Sequence, residues 1–136
     1  MQDCVFCKIV SKEIPAKIFY EDEAYLAFLN IAPNTRGHSL VIPKKHSPSF
    51  ATLSSAEAAS LNAVVHQVAT KLMDILGVKD FNLGLNNGAL SGQSIEHVHW
   101  HIIPRYPDDG LVHWEKSPQA VGTIDEVFEL ISSQIK

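Results

Sequence analysis

His97, His99 and His101 stand at alternate positions, separated by Val98 and Trp100 and followed by Ile102 and Ile103. Imidazole titrates near neutrality, with an ordinary pKa of about 6.5, so each can act as nucleophile, base, acid or metal ligand. Alternation of polar and apolar residues is the strand period, which sends the histidines to one face and Val98, Trp100 and Ile102 to the other. On a helix the three would splay apart. Same-face neighbours on a strand lie ~6.6 Å apart, so the imidazoles form a row that can divide labour along a substrate. Three histidines converging on one catalytic metal would have to bridge ~13 Å of strand; two can share an ion and the third is spare.

The segment before the row runs Asn86-Asn87-Gly88-Ala89-Leu90-Ser91-Gly92-Gln93-Ser94. Gly88 and Gly92 allow backbone amides to approach an anion, and Gln93 and Ser94 add side-chain donors, which suits a phosphate. A phosphorus held beside a histidine Nε2 invites in-line attack and a covalent intermediate. His99, in the middle, is the candidate nucleophile.

Cys4 and Cys7 form a Cys-x-x-Cys pair at the start of the chain. Thiolates at this spacing can grip one zinc ion, with two further ligands drawn from His38, His46, His66, His97 and His113. A redox pair and two buried inert thiols are the other readings the spacing allows.

These residues need elements to hold them. A short helix is expected from Val5 to Ser11, ended by Glu13-Ile14-Pro15. Strands are expected over Lys17–Glu21, Ala24–Leu29 and Ser39–Ile42, the first two as a hairpin. Ser54-Ser55-Ala56-Glu57 is a capping box. It opens a long helix with Leu61, Val64, Val65, Val68, Leu72, Ile75 and Leu76 on one stripe, His66 off it in solvent, and Gly77 at its end. Phe81–Leu85 and His97–Ile103 read as two more strands. Thr123-Ile124-Asp125-Glu126 opens a last helix with Val127, Leu130 and Ile131 facing inward. The expected class is α+β, an antiparallel sheet with one long helix and a C-terminal helix.

Composition bounds the function. The chain has 136 residues, enough for one domain, and its 46% apolar content argues against disorder. A net charge of −4 with eleven scattered basic residues argues against a nucleic-acid surface. No stretch approaches the ~20 apolar residues of a membrane span, and the N-terminus lacks the features of a signal peptide. A cytoplasmic protein binding neither nucleic acid nor membrane is expected.

With these residues in hand, the chain resembles the histidine triad (HIT) family of nucleotide hydrolases and transferases. The likeness rests on His97-Val98-His99-Trp100-His101-Ile102-Ile103, Cys4-Val5-Phe6-Cys7-Lys8-Ile9, Ile14-Pro15-Ala16, Leu26-Ala27-Phe28 and the run from Gly37 through His38 to His46. It implies a single homodimeric HIT-like domain over 1–136, with a core at about 4–105 and residues 106–136 as a C-terminal extension and helix. It also implies that His99 attacks the α-phosphorus of a purine nucleotide derivative and that a nucleoside monophosphate, AMP- or GMP-like, is released. His101, Gln93, Ser94 and Asn86 match positions that contact the phosphate and leaving group, and His38 matches one that orients the triad. Asn30 matches a ribose-binding position where many members carry aspartate. Phe6, Ile18, Phe28 and Ile31 match the apolar walls around the base. Cys4, Cys7, His46 and His97 match a structural zinc site, which gives His97 a ligand's role beside the nucleophile; no organic cofactor is implied. Trp100 is bulkier than the residue expected at its place. Phosphoramidates, aminoacyl adenylates and dinucleoside polyphosphates are all substrates the resemblance allows, and a nucleotide-binding interaction module with little catalysis is the reading outside enzymology.

Overall fold

A computed structural model describes residues 3–112 and 114–135, so His113 lies outside the described residues. In chain order the elements are α1 (Val5–Val10), β1 (Ile18–Glu21), β2 (Tyr25–Leu29), β3 (Ser39–Pro43), α2 (Ser55–Leu76), β4 (Phe81–Leu85), β5 (Trp100–Pro104), α3 (Pro118–Val121) and α4 (Ile124–Ser132), with single 3-10 turns at Phe50–Thr52 and Ala89–Ser91. The five strands form one antiparallel sheet in the order β1-β2-β3-β5-β4. This is the expected α+β architecture, and β1 with β2 is the expected hairpin.

Alternation along the strands divides the core into two layers. Ala27, Val41, Val98 and Ile102 turn to α2, meeting Leu61, Val65, Val68, Ala69 and Met73. Leu26, Phe28, Leu40 and Ile42 turn to the opposite face and meet Phe6 and Ile9 of α1. Ser54 caps α2 by accepting from the Glu57 N–H while the Glu57 carboxylate accepts from the Ser54 N–H, and Gly77 closes the helix at φ 70°. His66 is exposed, as expected. No helix among the described residues is long and apolar enough to cross a membrane.

Several boundaries and faces differ from the sequence reading. The last strand is Trp100–Pro104, not His97–Ile103. Before Trp100 the chain leaves the β3 ladder, which ends at Pro43, and the Val98 N–H bonds to Ser47 O at 2.8 Å instead. The side chains still alternate through this irregular stretch. Helix α1 ends at Val10 with Ser11 as its cap, within a residue of expectation, but the stop comes ahead of Pro15, from Lys12 in the left-handed region at φ 68° and the Ile14 N–H reaching back to Lys8 O. On α2 the buried residues are Leu61, Val64, Val65, Val68, Ala69 and Met73, so Ala69 and Met73 join the expected stripe while Ile75, 71% exposed, falls outside it. Helix α4 keeps its apolar stripe but turns it to solvent, with Val127, Leu130 and Ile131 38%, 59% and 47% exposed. Periodicity defines a face and is silent about what that face meets. Thr123 does not cap α4; its hydroxyl donates to Ala120 O.

Gly37 places the next residue, His38. Its φ of 90° favours glycine, and a Cβ there would stand 2.6 Å from Leu76 Cδ1. Gly37→Ala is expected to lower stability by about 1–3 kcal/mol, read as a reduced urea midpoint at unchanged m-value.

Candidate active site and metal centre

The three histidines share the face that carries α1, as alternation requires. The Phe6 ring packs edge-on against His97 and His99, with centroids 5.8 and 5.1 Å away, and His101 follows 5.1 Å from His99. His97 and His99 are buried and His101 is half-buried.

Each ring has one nitrogen tied to a group of fixed character, which sets the tautomer of the neutral form. His97 Nε2 lies 2.8 Å from Pro43 O, so it carries the proton and Nδ1 keeps its lone pair. His99 Nδ1 lies 2.7 Å from His97 O, so it is the protonated atom and Nε2 is left with the lone pair of a nucleophile. His38 Nδ1 accepts from the Asn34 N–H at 3.0 Å, which puts its proton on Nε2. That proton is donated to His101 Nδ1 at 2.9 Å, leaving His101 with an Nε2–H. Burial lowers the pKa of His38, His97 and His99. His101 falls to about 4, through burial first and then repulsion by His99 and His38. The row is a set of neutral imidazoles with assigned protons.

The loop carrying Asn34 is tied down by Thr35 Oγ1, which donates to Pro104 O at 2.6 Å, and by Tyr106 Oη, which donates to Arg36 O at 2.7 Å. Asn30 Nδ2 stands 3.5 Å from His38 Nε2, and its Oδ1 accepts from the Ala32 N–H at 2.9 Å. Phe28 is buried 5.6 Å from Phe6, centroid to centroid, and Ile18 packs on the same cluster, whereas Ile31 is 94% exposed. Asn86, His38 and His101 line an open cleft of about 520 Å³ with Asn34, Asn82 and Arg105.

The glycine-containing loop is braced from within. Gly88 N–H donates to Gln93 Oε1, Gly92 N–H to Ala89 O, and Gln93 Nε2 to both Pro48 O and Ile95 O. In this conformation the two glycine amides and the Gln93 side chain hold the loop's shape, while Ser94 is exposed beside them.

Cys4, Cys7, His46 and His97 present four ligand atoms within 4.8 Å of one another and could hold a metal ion. Cys4 Sγ and Cys7 Sγ stand 3.3 and 3.6 Å from His97 Nδ1, and Cys7 Sγ stands 3.3 Å from His46 Nδ1. Tetrahedral bonds of ~2.3 Å to sulfur and ~2.1 Å to nitrogen put such atoms ~3.6 Å apart, so the set fits zinc. His97 Nδ1 already has the lone pair a ligand needs. Burial, and then Cys4, push the Cys7 thiol up, a cost that a bound cation would reverse. His38 belongs to the histidine chain and His66 is exposed on α2, so neither joins the set.

A family description, "HIT domain", matches residues 11–108. The chain belongs to the HIT family. Among related HIT sequences, an adenosine 5'-monophosphoramidase of Schizosaccharomyces pombe is 40% identical over 98% of both chains. An adenylylsulfatase of Arabidopsis thaliana is 42% identical over 80% of this chain and 55% of its own length. Among solved structures, a Streptococcus mutans protein superposes with a TM-score of 0.89 at 35% identity, covering all of this chain and 87% of that one. A zinc-bound histidine triad protein of Mycobacterium smegmatis superposes at 0.77 and 34% identity, covering 93% and 98%.

Sequence reasoning missed Asn34 and Pro43, which act through backbone groups that leave no trace in residue type. It also missed Asn82, whose side chain looks like the solvated face of a strand, and Arg105 and Asp109, which look like an ordinary solvated turn.

Two outcomes follow from the geometry. Unfolded histidine takes up a proton below about 6.5, whereas folded His101 refuses it until about 4. The unfolded state therefore binds more protons in that window, and stability falls as pH drops from about 6.5 towards 4; the urea midpoint measured across this range checks it. Cys7→Ser is expected to abolish equimolar metal binding, measured by elemental analysis after dialysis, while His66→Ala leaves it intact.

Proposed function

We propose that the protein is a nucleotide hydrolase that attacks the α-phosphorus of a purine nucleotide derivative through His99 Nε2. The carrying observation is the bond from His99 Nδ1–H to His97 O, which leaves Nε2 unprotonated in a neutral ring. The lone pair forms the P–N bond while the bond to the leaving group breaks with its electron pair, and solvent supplies the departing group's proton. The resulting phosphorylated ring is cationic, and the His97 carbonyl already accepts from its Nδ1–H. His101 Nε2–H donates a hydrogen bond to the phosphoryl oxygen or the bridging atom. Water then adds to phosphorus, losing a proton to solvent, and the P–N bond returns its pair to Nε2.

The site residues follow from this reading. His38 orients His101, Asn30 binds the ribose hydroxyls, and Phe6, Ile18, Phe28 and Ile31 flank the base. Asn86 and Ser94 contact phosphate, and Gln93 keeps the loop in shape for them. The phosphoramidase and adenylylsulfatase relatives support hydrolysis at a nucleotide phosphorus. Zinc held by Cys4, Cys7, His46 and His97 supplies rigidity and no chemistry; the zinc-bound relative and the donor set support it. The active unit is a homodimer, supported by the free edge of β4 and the exposed apolar stripe of α4.

His99→Ala is expected to reduce turnover of adenosine 5'-phosphoramidate at least ~10³-fold with AMP affinity within a few-fold of the parent. Rapid quenching of the parent with substrate should reveal a nucleotidyl adduct by intact mass. Undiminished turnover in the variant would sink the proposal.

A further inference from the structure

The sheet order separates the two ends of a bound nucleotide. The apolar residues Phe6, Ile18 and Phe28 lie on the α1, β1 and β2 side of the histidine row. The cleft beyond His101 is walled by β4, the end of β5 and the segment after it, together with Asn34 and His38 of the β2–β3 connection. With the base on the apolar side, the leaving group departs past His101 into this cleft.

Among the described lining residues of the cleft, Arg105 is the sole permanent cation. Four of its five N–H groups are engaged. Nε and Nη2 donate to the two carboxylate oxygens of Asp109 at 2.8 and 3.0 Å, Nη2 also reaches Leu111 O at 3.2 Å, and Nη1 donates to Asn82 Oδ1 at 2.8 Å. Asp109 accepts in addition from the N–H groups of Tyr106 and Leu111, both at 3.0 Å. Arg105 above all, then these amides, hold the Asp109 carboxyl well below the usual carboxylate range. The side chains are 16% and 10% exposed, so the pair is largely shielded from salt.

We propose that Asp109 is a specificity-determining residue, which neutralises Arg105 and so makes the cleft accept amine and other uncharged leaving groups while disfavouring polyphosphate. This deepens the proposed function and rests on it for the direction of departure. A guanidinium is the side chain best shaped to hold phosphate oxygens, and here it stands in the cleft already turned to a carboxylate. A polyphosphate entering the cleft meets the amides of Asn34, Asn82 and Asn86 and a charge pair whose sum is zero. Only neutral donors offset its lost hydration. An amine loses far less.

A purely structural staple would make both substrates suffer together when it is cut, whereas charge masking moves them in opposite senses. Asp109→Asn keeps the side chain's shape and one acceptor but frees the guanidinium. The ratio of kcat/KM for diadenosine tetraphosphate over adenosine 5'-phosphoramidate is expected to rise about tenfold, the worth of one charge-assisted hydrogen bond. Asp109→Glu should restore the parent ratio, and adding Arg105→Gln to Asp109→Asn should erase the gain. Arg105→Gln alone, which leaves the carboxylate unbalanced, should lower the ratio, and this second direction decides the matter if Asp109→Asn fails to fold. Calorimetric binding of inorganic tripolyphosphate gives a readout without turnover, expected to tighten about tenfold in Asp109→Asn. Should the parent hydrolyse neither nucleotide, the proposed function fails, and the tripolyphosphate affinities still judge the masking. A ratio or affinity that stays level or moves the other way overturns it.

Discussion

His97 is held from three directions at once. Its Nε2–H is committed to Pro43 O at the end of β3, its Nδ1 faces the sulfurs of Cys4 and Cys7, and its own carbonyl accepts from His99 Nδ1–H. The first bond determines the second, because a proton fixed on Nε2 leaves Nδ1 as a lone pair for a cation. The third is made by the main chain, whose next amide, the Val98 N–H, is anchored to Ser47 O. The candidate metal ligands and His99 thus meet at one residue.

The second half of the site repeats the device with different parts. The Asn34 N–H assigns the proton of His38, which assigns that of His101. Because the line begins at a main-chain amide that cannot give up its proton at neutral pH, it fixes a tautomer and does not conduct protons. His99 takes its orientation from a carbonyl and His101 from an amide, so one neutral residue type yields a lone pair at one position and a donor at the next. Arg105 and Asp109 extend the same economy of charge to the outer cleft.

Much of this was legible in the chain. The alternation from His97 to Ile102 placed the histidines on one face even though regular strand begins only at Trp100, because side-chain direction depends on extended backbone and not on ladder pairing. Ser54 with Glu57, and Gly77, marked both ends of α2 through local capping chemistry. What stayed hidden was carried by main-chain atoms or by distant partners. Nothing in the residue types at 34 and 43 announces that their backbones set two tautomers. The residue type of Gln93 suggested a phosphate donor but could not reveal that its amide braces a loop against Pro48, 45 positions away. The stripe of α4 was visible, but its environment was not, since amphipathicity is a property of the helix alone.

The contact of Cys4 with His97 joins points 93 residues apart. An ion gripped there closes most of the chain into a loop, and a closed loop has far fewer unfolded conformations to explore. It acts on the denatured ensemble as a removable cross-link, comparable in its effect to a disulfide but governed by the free concentration of the metal instead of by redox potential. With such an ion bound, the stability of the fold would follow the free metal concentration.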